Sequence, residues 1–127
     1  METHIDPDEK GFYDFSIENG TFSVTPLLDN LLSDLNSGIK ISRLSAKFHN
    51  SINNLVIELA NQIRRETGIQ HVALSGGVWQ NQYLLIHAVN SLQTNQFTVL
   101  THKNIPTNDG GISLGQAMIA NAIIALE

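Results

Sequence analysis

Alternating apolar and polar positions come first along the chain, and helical spacing follows them. Residues 12–24 alternate on both sides of the Asn-Gly pair at 19–20, which predicts a β-hairpin with a tight turn. The Thr-Pro pair at 25–26 predicts the start of a first helix, because proline is favoured at the first helical position. Gly38 is then expected to end that helix.

The longest helical pattern covers residues 42–67. Apolar side chains recur there at three- and four-residue spacing, which predicts one helix with a single apolar stripe. The stripe consists of Leu44, Phe48, Ile52, Leu55, Val56, Leu59 and Ile63. Ser42 or Ser45 is expected to cap the start of this helix, and Gly68 is expected to end it.

The second half of the chain alternates strand and helix. The predicted elements are a buried strand at 72–74, a helix from about Gln80 to Thr94, a strand at 97–101 and a helix from about Ile112 to Leu126. This order predicts parallel pairing and an α/β fold. The hairpin is expected to add antiparallel strands to the same sheet, which makes a mixed sheet with flanking helices.

Composition narrows the classes of function. The chain has 127 residues, and we predict one domain at 12–127 after a disordered start or linker at 1–11. A net charge of −5, with no basic cluster beyond the Arg-Arg pair at 64–65, argues against a nucleic-acid partner. The absence of cysteine excludes disulfides, Cys-ligated zinc and a Cys nucleophile within this chain. No apolar run approaches about 18 residues, so no membrane partner is expected and a cytoplasmic location is predicted.

A double glycine at 76–77 lies between the predicted strand at 72–74 and the next helix. In an open α/β sheet, ligands bind at this edge. Glycine lets a ligand approach the main chain, and the N–H groups at a helix start attract phosphate. Ser75 and Asn81 can add side-chain hydrogen bonds. From spacing alone, a tight turn without a ligand explains the glycines equally well.

The second double glycine, at 110–111, follows Asn108 and Asp109 and directly precedes the last helix. Asp or Asn is a good helix cap in that place, so spacing alone favours a capped helix. The functional alternative is a carboxylate at the strand-end cleft that binds a hard cation, or a cation bridged to phosphate.

The histidines do not form a metal site by their spacing. A helical pair needs an interval of three or four residues, and all histidines in this chain are farther apart than that. His49 adjoins the apolar stripe, and we expect a hydrogen-bonded histidine in the core or at its rim. Trp79 is expected to pack at the edge of the helix that follows it.

The two glycine loops together resemble a known family. VALSGGVWQNQYLL, followed about 30 residues later by IPTNDGGISLGQAMIA, resembles the C-terminal end of the HypF carbamoyltransferases of nickel–iron hydrogenase maturation. LSAKFHNSI resembles that family as well, and the similarity covers nearly all of the chain from about Phe12. The HypF family is itself related to the TsaD-like enzymes that make threonylcarbamoyl-adenosine in tRNA.

The resemblance implies one lobe of an actin-like, ribonuclease-H-like nucleotide-binding fold. It implies an enzyme that converts carbamoyl phosphate and ATP to carbamoyl adenylate. The enzyme then carbamoylates a C-terminal cysteine of a partner protein, HypE, as a precursor of cyanide ligands. The implied cofactors are ATP and a divalent metal, with magnesium, iron and zinc all open.

The resemblance also implies roles for residues in the two loops. The implied nucleotide-binding residues are Ser75, Gly76, Gly77, Asn81, Gly110 and Gly111. Asp109 is implied as a metal ligand with Asn108 in support, and no catalytic residue is implied.

The chain departs from the family in what it lacks. The family's His-x-x-x-His metal ligands belong to the other lobe and are absent here, as are its zinc-binding and carbamoyl-phosphate-processing parts. We therefore expect the missing N-terminal lobe as a partner and no carbamoyltransferase activity from this chain alone. Apolar surface left exposed at that interface would also allow a homodimer. A lobe of a tRNA threonylcarbamoyl transferase and a non-catalytic protein-interaction module remain as alternatives.

Overall fold

The computed structural model describes residues 5–18 and 21–125. The elements in chain order are strands β1 (Ser16–Glu18) and β2 (Thr21–Ser23), helices α1 (Thr25–Asn36) and α2 (Ile41–Thr67), strand β3 (His71–Leu74), helix α3 (Gln82–Thr94), strand β4 (Thr98–Thr101) and helix α4 (Ile112–Ile124). Short 3-10 turns at Gly77–Gln80 and Asp109–Gly111 precede α3 and α4. Across the described ranges, no helix is long and apolar enough to cross a membrane.

Two separate two-stranded sheets form among the described residues. Strands β3 and β4 pair in parallel with Leu74 beside Thr101, which confirms the predicted parallel pairing. The hairpin strands β1 and β2 pair antiparallel, with Ser16 beside Ser23, and the predicted turn at 19–20 lies outside the described residues. The prediction that the hairpin joins the same sheet is wrong for the described chain. Helix α1 follows the hairpin directly and packs on α2, so the hairpin leads into a helical layer and not to an edge of the β3–β4 pair.

Helix α2 ends as predicted but begins differently. Gly68 follows its last residue with a φ of 76°, a left-handed conformation that glycine adopts without a steric penalty. The helix begins at Ile41, after Lys40, and no side chain caps it. The prediction of a serine cap is therefore wrong, because Ser42 and Ser45 both lie inside the helix.

The main core lies where α2 and α3 pack with the β3–β4 pair. Its buried members are Leu74, Trp79, Leu84, Ala88, Leu92 and Phe97. From the predicted stripe of α2, Ile52 and Val56 pack against this cluster. Trp79, expected at an edge, is only 9% exposed and belongs to the core.

Residues 6–11, which the sequence assigns to a disordered start or linker, are bonded to α2. The Asn50 side-chain amide donates to the carbonyl oxygens of Glu9 and Gly11 at 3.1 and 3.0 Å. The Glu9 carboxylate lies 2.6 Å from the Arg43 guanidinium. Hydrogen bonds from the Gly11 N–H and then from Arg43 lower the pKa of Glu9 below its ordinary value.

Helix α1 is joined to α2 by a polar cluster. The Tyr13 hydroxyl donates to Asp34 Oδ2 at 2.9 Å, and Lys47 Nζ lies 2.6 Å from the same oxygen. The hydrogen bond from Lys47, and then that from Tyr13, lower the pKa of Asp34. This cluster and the Glu9–Arg43 pair hold the N-terminal third of the chain against α2.

Candidate functional site

The carboxyl ends of β3 and β4 bring the two glycine loops together. Because Leu74 and Thr101 are in register, Ser75 and His102 occupy the next step of the two strands. The Ser75 hydroxyl oxygen lies 2.9 Å from His102 Nε2, within hydrogen-bonding distance, and both residues are exposed. The Gly76 N–H donates to the Thr107 carbonyl at 2.7 Å and makes a second link between the loops.

The two glycines of the first loop differ in what the fold requires of them. Gly76 has a φ of 107°, which L-amino acids with a side chain rarely adopt, so the turn itself requires glycine there. Gly77 has no such conformation, and nothing lies within 4 Å of the place that its Cβ would occupy. Neither backbone conformation nor packing within this chain explains the glycine at 77.

In the second loop Asn108 caps the 3-10 turn and not α4, whose N-cap is Gly111 without a side-chain hydrogen bond, so the predicted cap of the last helix is wrong. The side-chain oxygen of Asn108 accepts a hydrogen bond from the Gly110 N–H at 3.1 Å, at the start of the 3-10 turn. A Cβ on Gly111 would lie 3.0 Å from the Pro106 carbonyl oxygen, so close packing of the loop favours glycine at that position. Asp109 is exposed beside these groups. Within the described ranges, no three His, Asp or Glu side chains gather into a metal-binding group.

Asn81 holds the start of α3. Its side-chain oxygen accepts the Leu84 N–H at 2.9 Å, so this residue is the N-cap of the helix. The first helical residue is Gln82, two residues later than predicted, because the 3-10 turn intervenes between Gly76 and the helix. A role of Asn81 in nucleotide binding stays a prediction, since the contacts of its oxygen are structural.

His49 fixes the other end of the Asn81 amide. His49 is 4% exposed, and its Nδ1 lies 2.7 Å from the Ser45 carbonyl oxygen. A carbonyl oxygen only accepts, so Nδ1 carries the proton and Nε2 accepts from the Asn81 amide at 2.9 Å. The expectation of a hydrogen-bonded core or rim histidine is confirmed.

Helix α4 continues directly from the second loop and lies apart from the core. It has no buried residue, and it contacts mainly the 3-10 turn that precedes it. Its large apolar side chains are all exposed, among them Met118 and Ile119 at 62% each and Ile124 at 71%. Apolar surface of this extent in one helix is uncommon on a free protein surface and is typical of a contact with another body.

Sequence reasoning missed the contacts that histidines make at the site. It tested them only as pairs along one helix, whereas His102 meets Ser75 across two strands and His49 meets Asn81 across two helices. The predicted parallel pairing contained the signal for the first contact, because parallel strands whose carboxyl ends are in register place residue 75 beside residue 102. The second contact depends on how α2 and α3 pack, which spacing does not give.

Comparison with known proteins gives a consistent family. A family model described as "Carbamoyltransferase, Kae1-like Domain, second subdomain" matches residues 1–116. Carbamoyltransferase HypF of Synechocystis is 42% identical over 79 residues, 62% of this chain and 10% of that protein. Carbamoyltransferase HypF2 of Cupriavidus necator is 32% identical over 100 residues, 79% of this chain and 12% of that protein.

Solved structures agree with this assignment. A crystal structure of full-length HypF in the phosphate- and nucleotide-bound form superposes with a TM-score of 0.88 and 42% identity, over 97% of this chain and 17% of that one. The crystal structure of T.kodakarensis HypF shares the fold, with a TM-score of 0.73 at 20% identity over 98% of this chain and 16% of that one. The chain thus spans less than a fifth of these relatives, and it belongs to the HypF carbamoyltransferase family.

Proposed function

We propose that this chain supplies one side of the nucleotide site of a HypF-type carbamoyltransferase, as one lobe of an actin-like fold. The site would use the strand-end loops at 75–81 and 108–111, with the main chain at Gly76-Gly77 facing the phosphates. The observation that carries this proposal is Gly77. Its glycine is unnecessary for the turn and for packing, whereas a ligand lying against the main chain would require it.

Other features of the two loops support the same interpretation. Polar side chains of Ser75, His102 and Asn108 surround the meeting point of the loops and are exposed. The full-length HypF whose crystal structure superposes with a TM-score of 0.88 was crystallised with phosphate and nucleotide bound. Gly110 and Gly111 would take part as main-chain neighbours of the ligand.

The residues present do not make a metal site by themselves. Hard cations need several oxygen ligands, and Asp109 is an exposed carboxylate that belongs to no group of three or more His, Asp or Glu side chains within the described ranges. We therefore propose that Asp109 adds one ligand to a cation held mainly by nucleotide phosphate and by groups outside this chain. Asn108, whose side chain folds back on Gly110, would keep the loop in place for that contact.

We further propose that the N-terminal part of the same kind of enzyme is the physical partner of this chain. The matching family model describes a second subdomain, which implies a first one, and the chain covers only 10–17% of its first relatives. Helix α4 offers the apolar surface for such a contact. A groove of about 370 Å³ between α2 and β3 offers another, with Val56, Leu59 and Ile63 along its helical wall.

The chemistry then belongs to the assembled enzyme. Carbamoyl phosphate, ATP and one water would give carbamoyl adenylate with release of phosphate and pyrophosphate. A cysteine thiol of a HypE-like protein would then accept the carbamoyl group for cyanide-ligand synthesis, with AMP as the leaving group. This chain would bind nucleotide and leave the reacting groups open to water, because it encloses the ligand on one side only. We expect it to be inactive alone.

A titration of ATP with magnesium, followed by amide NMR, tests the nucleotide site. We expect shifts concentrated at 75–81 and 107–111. Gly77→Ala should weaken the apparent affinity by about tenfold or more, because a methyl group would separate ligand and main chain. The same variant should keep the free energy of unfolding or raise it by about 0.4–1 kcal/mol, since alanine can adopt the backbone conformation of residue 77.

Gly115→Ala is the matched control, because Gly115 also has open space around it but lies in α4. This variant should bind like the parent chain. Asp109→Ala should weaken binding only when magnesium is present. Equal affinities for Gly77→Ala and the parent chain, or shifts spread over unrelated surfaces, would exclude the proposed site and favour a protein-interaction module.

A further inference from the structure

The Ser75–His102 pair bridges the two glycine loops where β3 and β4 end. Ser75 Oγ and His102 Nε2 are 2.9 Å apart, so these two exposed side chains form a hydrogen bond. A link of this kind in contact with water adds little to stability. The loops are already joined by the in-register strands and by the Gly76 N–H bond to the Thr107 carbonyl. Holding the loops together therefore does not explain the pair.

One hydrogen atom decides what the pair offers to a ligand. If Nε2 carries its proton, His102 donates to the Ser75 oxygen and leaves the serine hydroxyl hydrogen free to point elsewhere. If Nε2 is bare, the hydroxyl must donate to His102, and Ser75 then presents only lone pairs. The tautomer of His102 thus selects whether Ser75 acts as a donor or as an acceptor.

A phosphate oxygen only accepts hydrogen bonds, so it can use only the first arrangement. We propose that His102 is a positioning residue of the nucleotide site, which turns the Ser75 hydroxyl outward as a donor to a nucleotide phosphate. The inference rests on the proposed function, since it assumes that phosphate lies against the loop at 75–77. His102 acts through Ser75 and contacts no reacting atom.

The place of the two side chains supports this role. Ser75 directly precedes Gly76 and Gly77, so its hydroxyl borders the stretch of main chain left open to a ligand. His102 begins the loop that reaches Asn108 and Asp109, so the pair connects both halves of the proposed site. His71, at the amino end of β3, is also exposed and provides a control far along the same strand.

Binding of magnesium ATP to paired variants tests the proposal. His102→Phe and Ser75→Ala should each weaken binding by about two- to tenfold, the size of one hydrogen bond. In the Ser75→Ala chain, His102→Phe should change affinity by less than about twofold, because its effect passes through the serine. His102→Gln keeps a side-chain N–H donor and should recover most of the affinity. His71→Phe should bind like the parent chain.

Long-range nitrogen NMR of the histidine rings gives a second measurement. If His102 had a purely structural role, ATP would leave the NMR signals of its ring unchanged. ATP should convert His102 to the form with a proton on Nε2 and leave the ring of His71 unchanged. Normal ATP binding by His102→Phe, independent effects of the two substitutions, or a bare Nε2 in the complex would overturn the role of His102 alone. Absence of ATP-dependent shifts anywhere in the parent chain would instead overturn the proposed site, and this role with it.

Discussion

The two glycine loops share one sequence pattern but lead into very different helices. Each loop follows a parallel strand, contains two adjacent glycines and ends in a helix of 13 residues. Helix α3 buries Leu84, Ala88 and Leu92, whereas α4 buries no residue. The first loop is therefore anchored within this chain, and the second is attached to a helix that this chain does not cover.

The distribution of apolar residues explains the difference. In α3 the buried residues recur every four positions and face one core. In α4 the exposed apolar residues lie on several sides of the helix: Ile112, Leu114, Met118, Ile119, Ile123 and Ile124. A helix that is apolar nearly all round is normally enclosed by protein. The first half of the proposed site is thus backed by a buried helix of this chain, whereas the helix behind the second half buries none of its residues.

Truncating one apolar side chain in each helix should give the largest difference in the free energy of unfolding. Leu92 is fully buried, so Leu92→Ala should lower the free energy of unfolding by about 2–5 kcal/mol through lost burial and a cavity. Met118→Ala removes a side chain that is 62% exposed and should change it by less than about 0.5 kcal/mol. Urea denaturation of both variants measures the two effects. Similar losses in both would mean that α4 packs on the core in solution.

The two asparagine caps, one in each loop, should differ in how much they contribute to stability. Asn81→Ala removes the cap of α3 and leaves the buried Nε2 of His49 without its donor, so it should cost about 1–3 kcal/mol. Asn108→Ala removes one exposed hydrogen bond in a short turn and should cost less than about 1 kcal/mol. Thermal unfolding ranks the two variants. A larger loss for Asn108→Ala would show that the second loop is the better anchored one.

Acid should destabilise the contacts of the N-terminal third before those of the rest of the chain. We expect this effect on stability to be smaller than those of the substitutions above. Asp34 and Glu9 have lowered pKa values, so their contribution to stability is present above their ordinary values of 3.8 and 4.5. It is lost as pH falls through the lower values of the folded state. We expect Tm to drop by a few degrees between about pH 5 and pH 3, and less so in Asp34→Asn. Helix α4 carries no charged residue and should show no direct response. An equal drop in Asp34→Asn would assign the acid effect to other groups.

Local chemistry made much of the fold predictable. The helix at α2, its left-handed end at Gly68 and the parallel pairing of the second half follow from spacing and from glycine, and the structure confirms them. The predicted stripe of α2 is confirmed only in part, because Leu44 and Leu55 are buried whereas Ile63 is 49% exposed. The hairpin was predicted as an element, but not its separation from the β3–β4 pair. Strand partners across a long helical connection depend on packing, and no local residue pattern encodes that.

The proposed site was predictable in its loops but not in its contacts. The order of the strands indicates that residues after 74 and after 101 meet, and the structure places Ser75 beside His102. Gly76 is required by its backbone angle, whereas Gly77 has no such angle and no close neighbour. Two adjacent glycines in a sequence do not reveal this difference. The use of Asn81 as a helix cap bonded to His49 likewise required the packing of α2 against α3.

The central claim is that this chain is one side of a carbamoyltransferase site that the rest of a HypF-type enzyme completes. The most direct test is ATP-dependent consumption of radiolabelled carbamoyl phosphate by the purified chain alone, by a HypF lacking the matching segment, and by the two mixed. We predict no turnover by either part and measurable turnover by the mixture, reduced by Gly77→Ala. Turnover by this chain alone, or a mixture without turnover in which the two parts demonstrably bind, would contradict the claim.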